Sequence, residues 1–252
     1  FYDQLILSLK KNKYFKFLKS ANTKNYKLVI NCDFHNEITK KFFFRRFNKN
    51  YKSYAHTTLI EHKKIENNSI ASQIFTKKGP LAFLPISKNF TSVVYSARGG
   101  KDIDLEKLIK KYNVRYKIIN ISNSFTYELK SSLLRSYYFE NILAFGDLLH
   151  KIHPLAGQGF NMSIRDIDKL LQLIKEKRIN GLDLDTSICS EFEKNTKHKN
   201  FLFSSGIDFI YEFFNFESKY NFNFISQSIH LLSKNKGINK FFIKIADKGL
   251  MI

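Results

Sequence analysis

The chain is 252 residues long, carries a formal net charge of +20 and is 43% hydrophobic, with 10 Gly, 3 Pro and 2 Cys. That is enough chain to bury the core of one large domain or two modest ones, whereas Cys32 and Cys189 lie too far apart to suggest a disulfide framework or a spaced metal set, so a reducing, cytoplasmic location is expected. No apolar run reaches the roughly 18 residues of a membrane-spanning helix, and the basic excess, in a profile rich in Lys, Asn, Ile, Phe and Tyr, is what AT-rich codons produce without selection for a polyanionic partner.

In chain order, LILSLKKNKYFKFL (5–18) opens with helical apolar spacing and changes character near Lys13. KLVINCD (27–33) is a short apolar run ending in an acid and predicts a buried strand. In TKKFFFRRFNKNYK (39–52), Phe43, Phe44 and Phe47 fall at helical spacings while Lys40, Lys41, Arg45 and Arg46 cover other faces. This predicts a short amphipathic helix with its phenylalanines turned to the core, a reading preferred to nucleic-acid binding by the same interleaved cations and rings. From Ser53 to Ala97 short alternating or β-branched runs, punctuated at 67–69, 77–80 and 87–89, predict an antiparallel meander. DIDLEKLIKKY (102–112) predicts a helix with Asp102 near its start, YKIINIS (116–122) a strand, and NILAFGD (141–147) a buried strand ending in Gly-Asp. Phe160, Ile164, Ile167, Leu171 and Ile174 then recur at helical spacing, with Arg165, Asp166, Asp168 and Lys169 in the gaps and Gly181 as the stop. Helices rich in Phe and Ile follow from about 186. In the tail, 238–252, Lys240, Lys244 and Lys248 lie beside Phe241, Phe242 and Ile245, which suits equally an anionic bilayer surface or packing against the protein.

The densest use of Gly and Pro is GDLLHKIHPLAGQGFNMS (146–163). A buried strand that ends at Asp147 aims a carboxylate from the carboxyl end of a sheet, where open α/β sheets bind ligands. Gly157 and Gly159 remove side chains, so backbone can approach something flat or bulky, and a helix starting near Asn161 would point unpaired N–H groups at it. A tight strand-to-helix connection explains the glycines equally well. A metal triad of Asp147, His150 and His153 is disfavoured, since Pro154 would break the helix such spacing needs, and no G-x-S-x-G elbow supports a serine nucleophile.

GDLLHKIHPLAGQGFNMSIRD resembles the GD and HPxxGQGxN signature of FAD-dependent aromatic hydroxylases, above all the UbiH/UbiF-type monooxygenases of ubiquinone biosynthesis. FTKKGPLAFLPI (75–86) resembles their GPLALLPL hairpin, and KLVINCD stands where they carry a DG motif. The resemblance implies an α/β fold: the remnant of a Rossmann-like FAD-binding domain (1–48), an inserted antiparallel substrate sheet (49–125), a returning FAD-binding segment (126–185) and a C-terminal helical region (186–252). It implies that Asp147, with Gly146 allowing close approach, binds the ribityl chain, and that His153, Pro154, Gly157, Gln158, Gly159 and Asn161 neighbour the isoalloxazine ring, with Asp33 a weaker cofactor contact. The implied chemistry is NAD(P)H-driven, O2-dependent hydroxylation of a polyprenylated phenol, with peripheral contact at the inner membrane face or with a biosynthetic complex, no resident metal and no nucleic acid; no catalytic base is assigned.

Three departures stand out. Asp33 is followed by Phe34 where the family has Gly, Leu148 and Leu149 replace small residues, and no G-x-G-x-x-G or acidic ribose contact is present. The expectation is a chain that lacks an N-terminal portion of the FAD domain and, by itself, holds flavin weakly or not at all; the alternative is an inactive basic binding module on the same fold.

Overall fold

A computed structural model describes residues 2–19, 21–76, 78–99, 101–154 and 158–220. Two sheets organise it. In the smaller, β1 (Val29–Asn31) runs parallel to β9 (Ile142–Ala144), with Val29 opposite Ile142 and Asn31 opposite Ala144, and β8 (Tyr138–Phe139) pairs antiparallel on the far side of β9. The apolar runs KLVINCD and NILAFGD thus lie side by side, and their carboxyl ends fall at one edge. The Phe145 N–H donates to the Asn31 carbonyl at 2.9 Å, so the register persists to the point where both chains leave the sheet.

The larger sheet has the order β10-β7-β2-β5-β4-β3, with β6 also pairing β2. Its strands are β2 (Arg46–His62), β3 (Ser72–Thr76), β4 (Gly79–Pro85), β5 (Phe90–Arg98), β6 (Ile118–Ile121), β7 (Phe125–Leu134) and β10 (His150–Lys151). The expected antiparallel meander holds for β3, β4 and β5, but β2 pairs β5 rather than β3, so the four strands are antiparallel without following chain order. Gly79 opens β4 because a side chain would not fit: a Cβ there would lie 1.9 Å from the Ser96 carbonyl oxygen. β7 shares most of the length of β2, so the segment after residue 125 continues the same sheet. β2 serves two cores. Tyr51, Ser53 and Ala55 are buried on one side, and after a change of phase His56, Thr58, Ile60 and His62 are buried on the other. The irregular pairing with β7 between Asn50 and Tyr54, with Lys52 at φ 49°, bends the strand just ahead of that switch.

The helices are α1 (Tyr2–Lys10), α2 (Glu37–Phe42), α3 (Leu105–Tyr112), α4 (Gln158–Ile179) and α5 (Thr186–Tyr220). α3 starts at an Asp104 N-cap, two residues after Asp102; the Asp104 side chain accepts from the Lys107 N–H, and Leu105 and Ile109 pack beneath the sheet with Ile60, Phe83 and Tyr95. α4 and α5 cover the small sheet, where Leu143, Leu148, Leu170, Leu173, Ile188 and Phe192 form the principal core. Gly181, at φ +66°, ends α4 as expected: the Leu182 N–H returns to the Lys177 carbonyl at 2.9 Å.

The amphipathic helix expected at 39–52 fails here. The segment 39–52 is no single helix: α2 ends at Phe42, and Arg46–Tyr51 is strand, paired residue for residue with β7 from Arg46–Leu134 to Asn50–Lys130. Sheet pairing overrides the helical spacing of the rings, so only Phe43 is buried, while Phe44 and Phe47 are exposed beneath Arg45 and Arg135. On α4 the apolar stripe Phe160, Ile164, Ile167 and Leu171 is exposed, and the buried face is Met162, Asp166, Leu170, Leu173 and Lys177. The tail 238–252 lies outside the described residues.

Candidate functional site

The carboxyl ends of β1 and β9 place Asp33 and Asp147 at one edge of the parallel pair. After β9 the chain makes a short 3-10 turn, Gly146–Leu148, closed by the Leu149 N–H donating to the Gly146 carbonyl at 2.9 Å. Gly146 sits at φ +63°, a left-handed conformation that other residues adopt at a cost of about 1 kcal/mol. No atom lies within 4 Å of where its Cβ would be, so the chain's own packing leaves that surface open. Asp147 is exposed on this turn. Asp33 is exposed too, but its carboxylate accepts from the His35 N–H at 2.8 Å and its carbonyl from the Thr39 hydroxyl at 2.6 Å, which engages it in the turn into α2.

Beyond the turn, His150 is fully buried and its Nε2 donates to Asp166 Oδ2 at 2.6 Å; the Asn200 amide bonds the same carboxylate at 3.1 and 3.3 Å. Strand β10 is thereby tied to α4 and α5. Desolvation pushes the phenol of nearby Tyr137 up, with the Asp166 charge adding to the effect. His153 is buried between two rings, edge-on to Tyr51 at 4.8 Å and tilted against Tyr211 at 4.3 Å. Neither of its nitrogens has a hydrogen-bond partner among the described residues. Burial first, then the Arg98 and Lys49 charges, depress its pKa to about 4. Tyr211 is fixed in turn by Ser53 Oγ at 2.6 Å and by the Arg98 guanidinium, and Tyr51 donates to Asp208.

Asp147, His150 and His153 therefore do not converge, and among the described residues no cluster of three His, Cys, Asp or Glu is arranged for a metal. Pro154 is exposed. Gly157 lies outside the described residues, so its approach to a ligand is not part of this geometry. α4 begins at Gln158, earlier than expected, which puts Gly159 and Asn161 within its first turn. Gly159 is helical, and a Cβ there would make only ordinary contact with Ile152 at 3.7 Å, so packing within the chain does not demand a glycine. The buried Gln158 Oε1 has no partner among the described residues, and the first N–H groups of α4 have none inside the helix.

These features fit a flavin. An exposed carboxylate suits ribityl hydroxyls, a left-handed glycine with open space above it suits close approach, helix-start N–H groups suit the edge of a ring that becomes anionic on reduction, and the Gln158 Oε1 can accept from a ring N–H. Sequence reasoning missed Asp166, taken as surface filler, and also Asn200, Tyr51 and Tyr211. They come from segments far apart in the chain, and no local spacing links them. A cavity of about 520 Å³ lies elsewhere, between α5 and the end of β7, with Leu133, Leu134, Tyr137 and Phe201 among its walls.

Comparison with known proteins agrees with this geometry. Residues 103–181 match the FAD binding domain family. The chain is 26% identical over 206 residues to 3-demethoxyubiquinol 3-hydroxylase of Escherichia coli K12, covering 77% of this chain and 52% of that protein. It is 25% identical over 211 residues to the human ubiquinone biosynthesis monooxygenase COQ6, covering 66% and 45%. In fold it is similar to OxyS anhydrotetracycline hydroxylase from Streptomyces rimosus (TM-score 0.64, 12% identity, 89% of this chain and 46% of that one) and to the aromatic hydroxylase CabE of angucycline biosynthesis (TM-score 0.60, 13% identity, 88% and 46%). The chain spans about half the length of the curated relatives it matches. The chain is thus similar to hydroxylases of ubiquinone biosynthesis, and its residues 103–181 match an FAD binding domain.

Proposed function

We propose that this chain supplies the ring-side and substrate-side parts of an FAD-dependent monooxygenase that uses NAD(P)H and O2 to hydroxylate an electron-rich polyprenylated phenol, a ubiquinone precursor. The observation that carries the reading is the paired strand ends: Asp147 on an open glycine turn beside β1, followed by a helix start whose Gln158 Oε1 has no partner among the described residues. FAD, when bound, supplies the redox and oxygen-transfer chemistry. The chain's residues do the rest. Asp147 holds the ribityl chain, Gly146 and Gly159 let it approach, and Gln158, Asn161 and the α4 N–H groups orient the polar edge of the ring, with His153 and Pro154 shaping the loop beside it. Gly157 is assigned to the same loop, and Asp33 to an outer cofactor contact.

The antiparallel sheet of 49–125 is the proposed substrate side, where apolar walls would exclude water from the oxygen-transfer step. Among the described residues no helix is long and apolar enough to cross a membrane, so delivery of a polyprenylated substrate is assigned to peripheral contact at a membrane surface or to a biosynthetic complex.

The test is flavin titration of this chain, and of the same chain joined to a strand–G-x-G-x-x-G–helix unit that its sequence does not contain. The chain alone should quench FAD fluorescence weakly and the joined protein should hold a yellow flavin, with Asp147→Ala lowering affinity about tenfold. A joined protein that folds yet stays colourless and indifferent to FAD would falsify the proposal.

A further inference from the structure

The sequence sets Phe34 where the family carries glycine. The structure shows what its ring does. Arg46, at the start of β2, lays its guanidinium over the Phe34 ring at 4.4 Å, donates from Nη2 to the Leu148 carbonyl at 2.6 Å and from Nη1 to Ser132 Oγ at 3.0 Å. The first contact reaches the turn after β1, the second the turn after β9, and the third β7. One half-buried side chain thus spans the two strand ends that carry Asp33 and Asp147.

We propose that Arg46 is a positioning residue of the flavin site, a clamp that holds the Gly146–Leu148 turn in register with the Phe34 turn and so fixes the Asp147 carboxylate. The inference rests on the flavin reading for its purpose but on the geometry alone for its mechanics. The turn needs such a partner. Its Gly146 carbonyl is met by the Leu149 N–H, and the Leu149 carbonyl by the Leu134 N–H at 2.8 Å, but the Leu148 carbonyl has Arg46. All three of these Arg46 contacts go to neutral groups, and among the described residues no carboxylate pairs with it, so an ion pair does not explain its placement. A planar guanidinium can stack on a ring while two of its edges donate; an ammonium is a point charge that cannot do both. In this chain Phe34 therefore takes the place of the small residue by supplying the face on which the clamp lies.

The experiment compares wild type, Arg46→Lys, Arg46→Met, Phe34→Leu and Ser132→Ala by amide hydrogen exchange, melting temperature and FAD titration. Arg46→Lys keeps the charge and should still speed exchange over residues 146–149 about tenfold, with exchange over α3 unchanged and FAD affinity lowered by a similar factor. Phe34→Leu should show the same local effect at roughly a third of the size, and Ser132→Ala, which leaves the Leu148 contact intact, should stay within about twofold. Exchange over 146–149 in Arg46→Lys that matches wild type overturns the clamp, because charge alone would then suffice. A melting temperature that falls as far in Ser132→Ala as in Arg46→Lys, with FAD affinity equal in both, also overturns it, reducing Arg46 to general packing. If Arg46→Met fails to fold, the Lys and Phe34→Leu variants decide. FAD titrations are read in the chain joined to the strand–G-x-G-x-x-G–helix unit: a joined wild type that folds but never responds to FAD defeats the flavin reading, and the exchange data still judge Arg46.

Discussion

A histidine with two unpartnered nitrogens, sealed between Tyr51 and Tyr211, ties the residue scale to pH. The folded state holds His153 neutral down to about pH 4, while in the unfolded chain the ring protonates near its ordinary value of 6.5. Unfolded chains therefore bind more protons between those limits. The stabilisation is complete above pH 6.5 and is lost as pH falls through 4, a swing of about 3 kcal/mol at most. Urea midpoints should drop from pH 7 to pH 5, and His153→Phe, which keeps a ring between the tyrosines, should remove most of that slope. His56, lowered by burial as well, leaves a smaller residual slope of the same sign. A slope unaltered in His153→Phe would place the effect elsewhere.

Among elements, the Asp166 carboxylate is where β10, α4 and α5 meet. Asp166→Ala leaves the His150 Nε2 and the Asn200 amide without their shared acceptor, which costs roughly 3 kcal/mol of unfolding free energy; Asn200→Ala, which removes one neutral donor, costs about 1 kcal/mol. Chemical denaturation of both variants checks the ratio, and equal losses would show that the carboxylate is not the hub. That hub also explains what was legible. The strands KLVINCD and NILAFGD, the meander and helices α3 and α4 are each written in local spacing, and the Gly146–Asn161 stretch declared itself through its composition. Which face of α4 is buried was not legible, since the helix carries two stripes and the buried one contains an acid and a lysine that only tertiary partners justify: Asp166 with His150, and Lys177 with Glu191 at 3.3 Å. The helix expected at 39–52 gave way for a related reason. Its rings keep helical spacing, yet the main chain of Arg46–Asn50 finds a ladder on β7, and β7 itself, FTYELKSSLL, hides its alternation behind Ser131 and Ser132.

At the scale of the whole molecule, several cations lie on exposed rings. The basic side chains that looked most like a nucleic-acid motif are spent on stacking and clamping, with Arg45 over Phe44 and Arg46 over Phe34. The exposed α4 stripe of Phe160, Ile164, Ile167 and Leu171 is the more conspicuous surface, an apolar line with no covering layer among the described residues. The small sheet and the large one are joined through the turn that bears Asp147, so the site depends on both.

The parallel pairing of β1 with β9 has a kinetic consequence. Between Asn31 and Ile142 the chain must complete nearly the whole antiparallel sheet before the two strands meet, and contacts that distant in sequence are slow to form because loop closure is opposed by entropy until late. Pulse-labelling during refolding should find the amides of β2, β5 and β7 protected first, with Val29–Asn31 trailing by about an order of magnitude in time. Early protection of β1 would reverse that order. If β1 does trail, the edge proposed to cradle the cofactor is the last part of the molecule to be born.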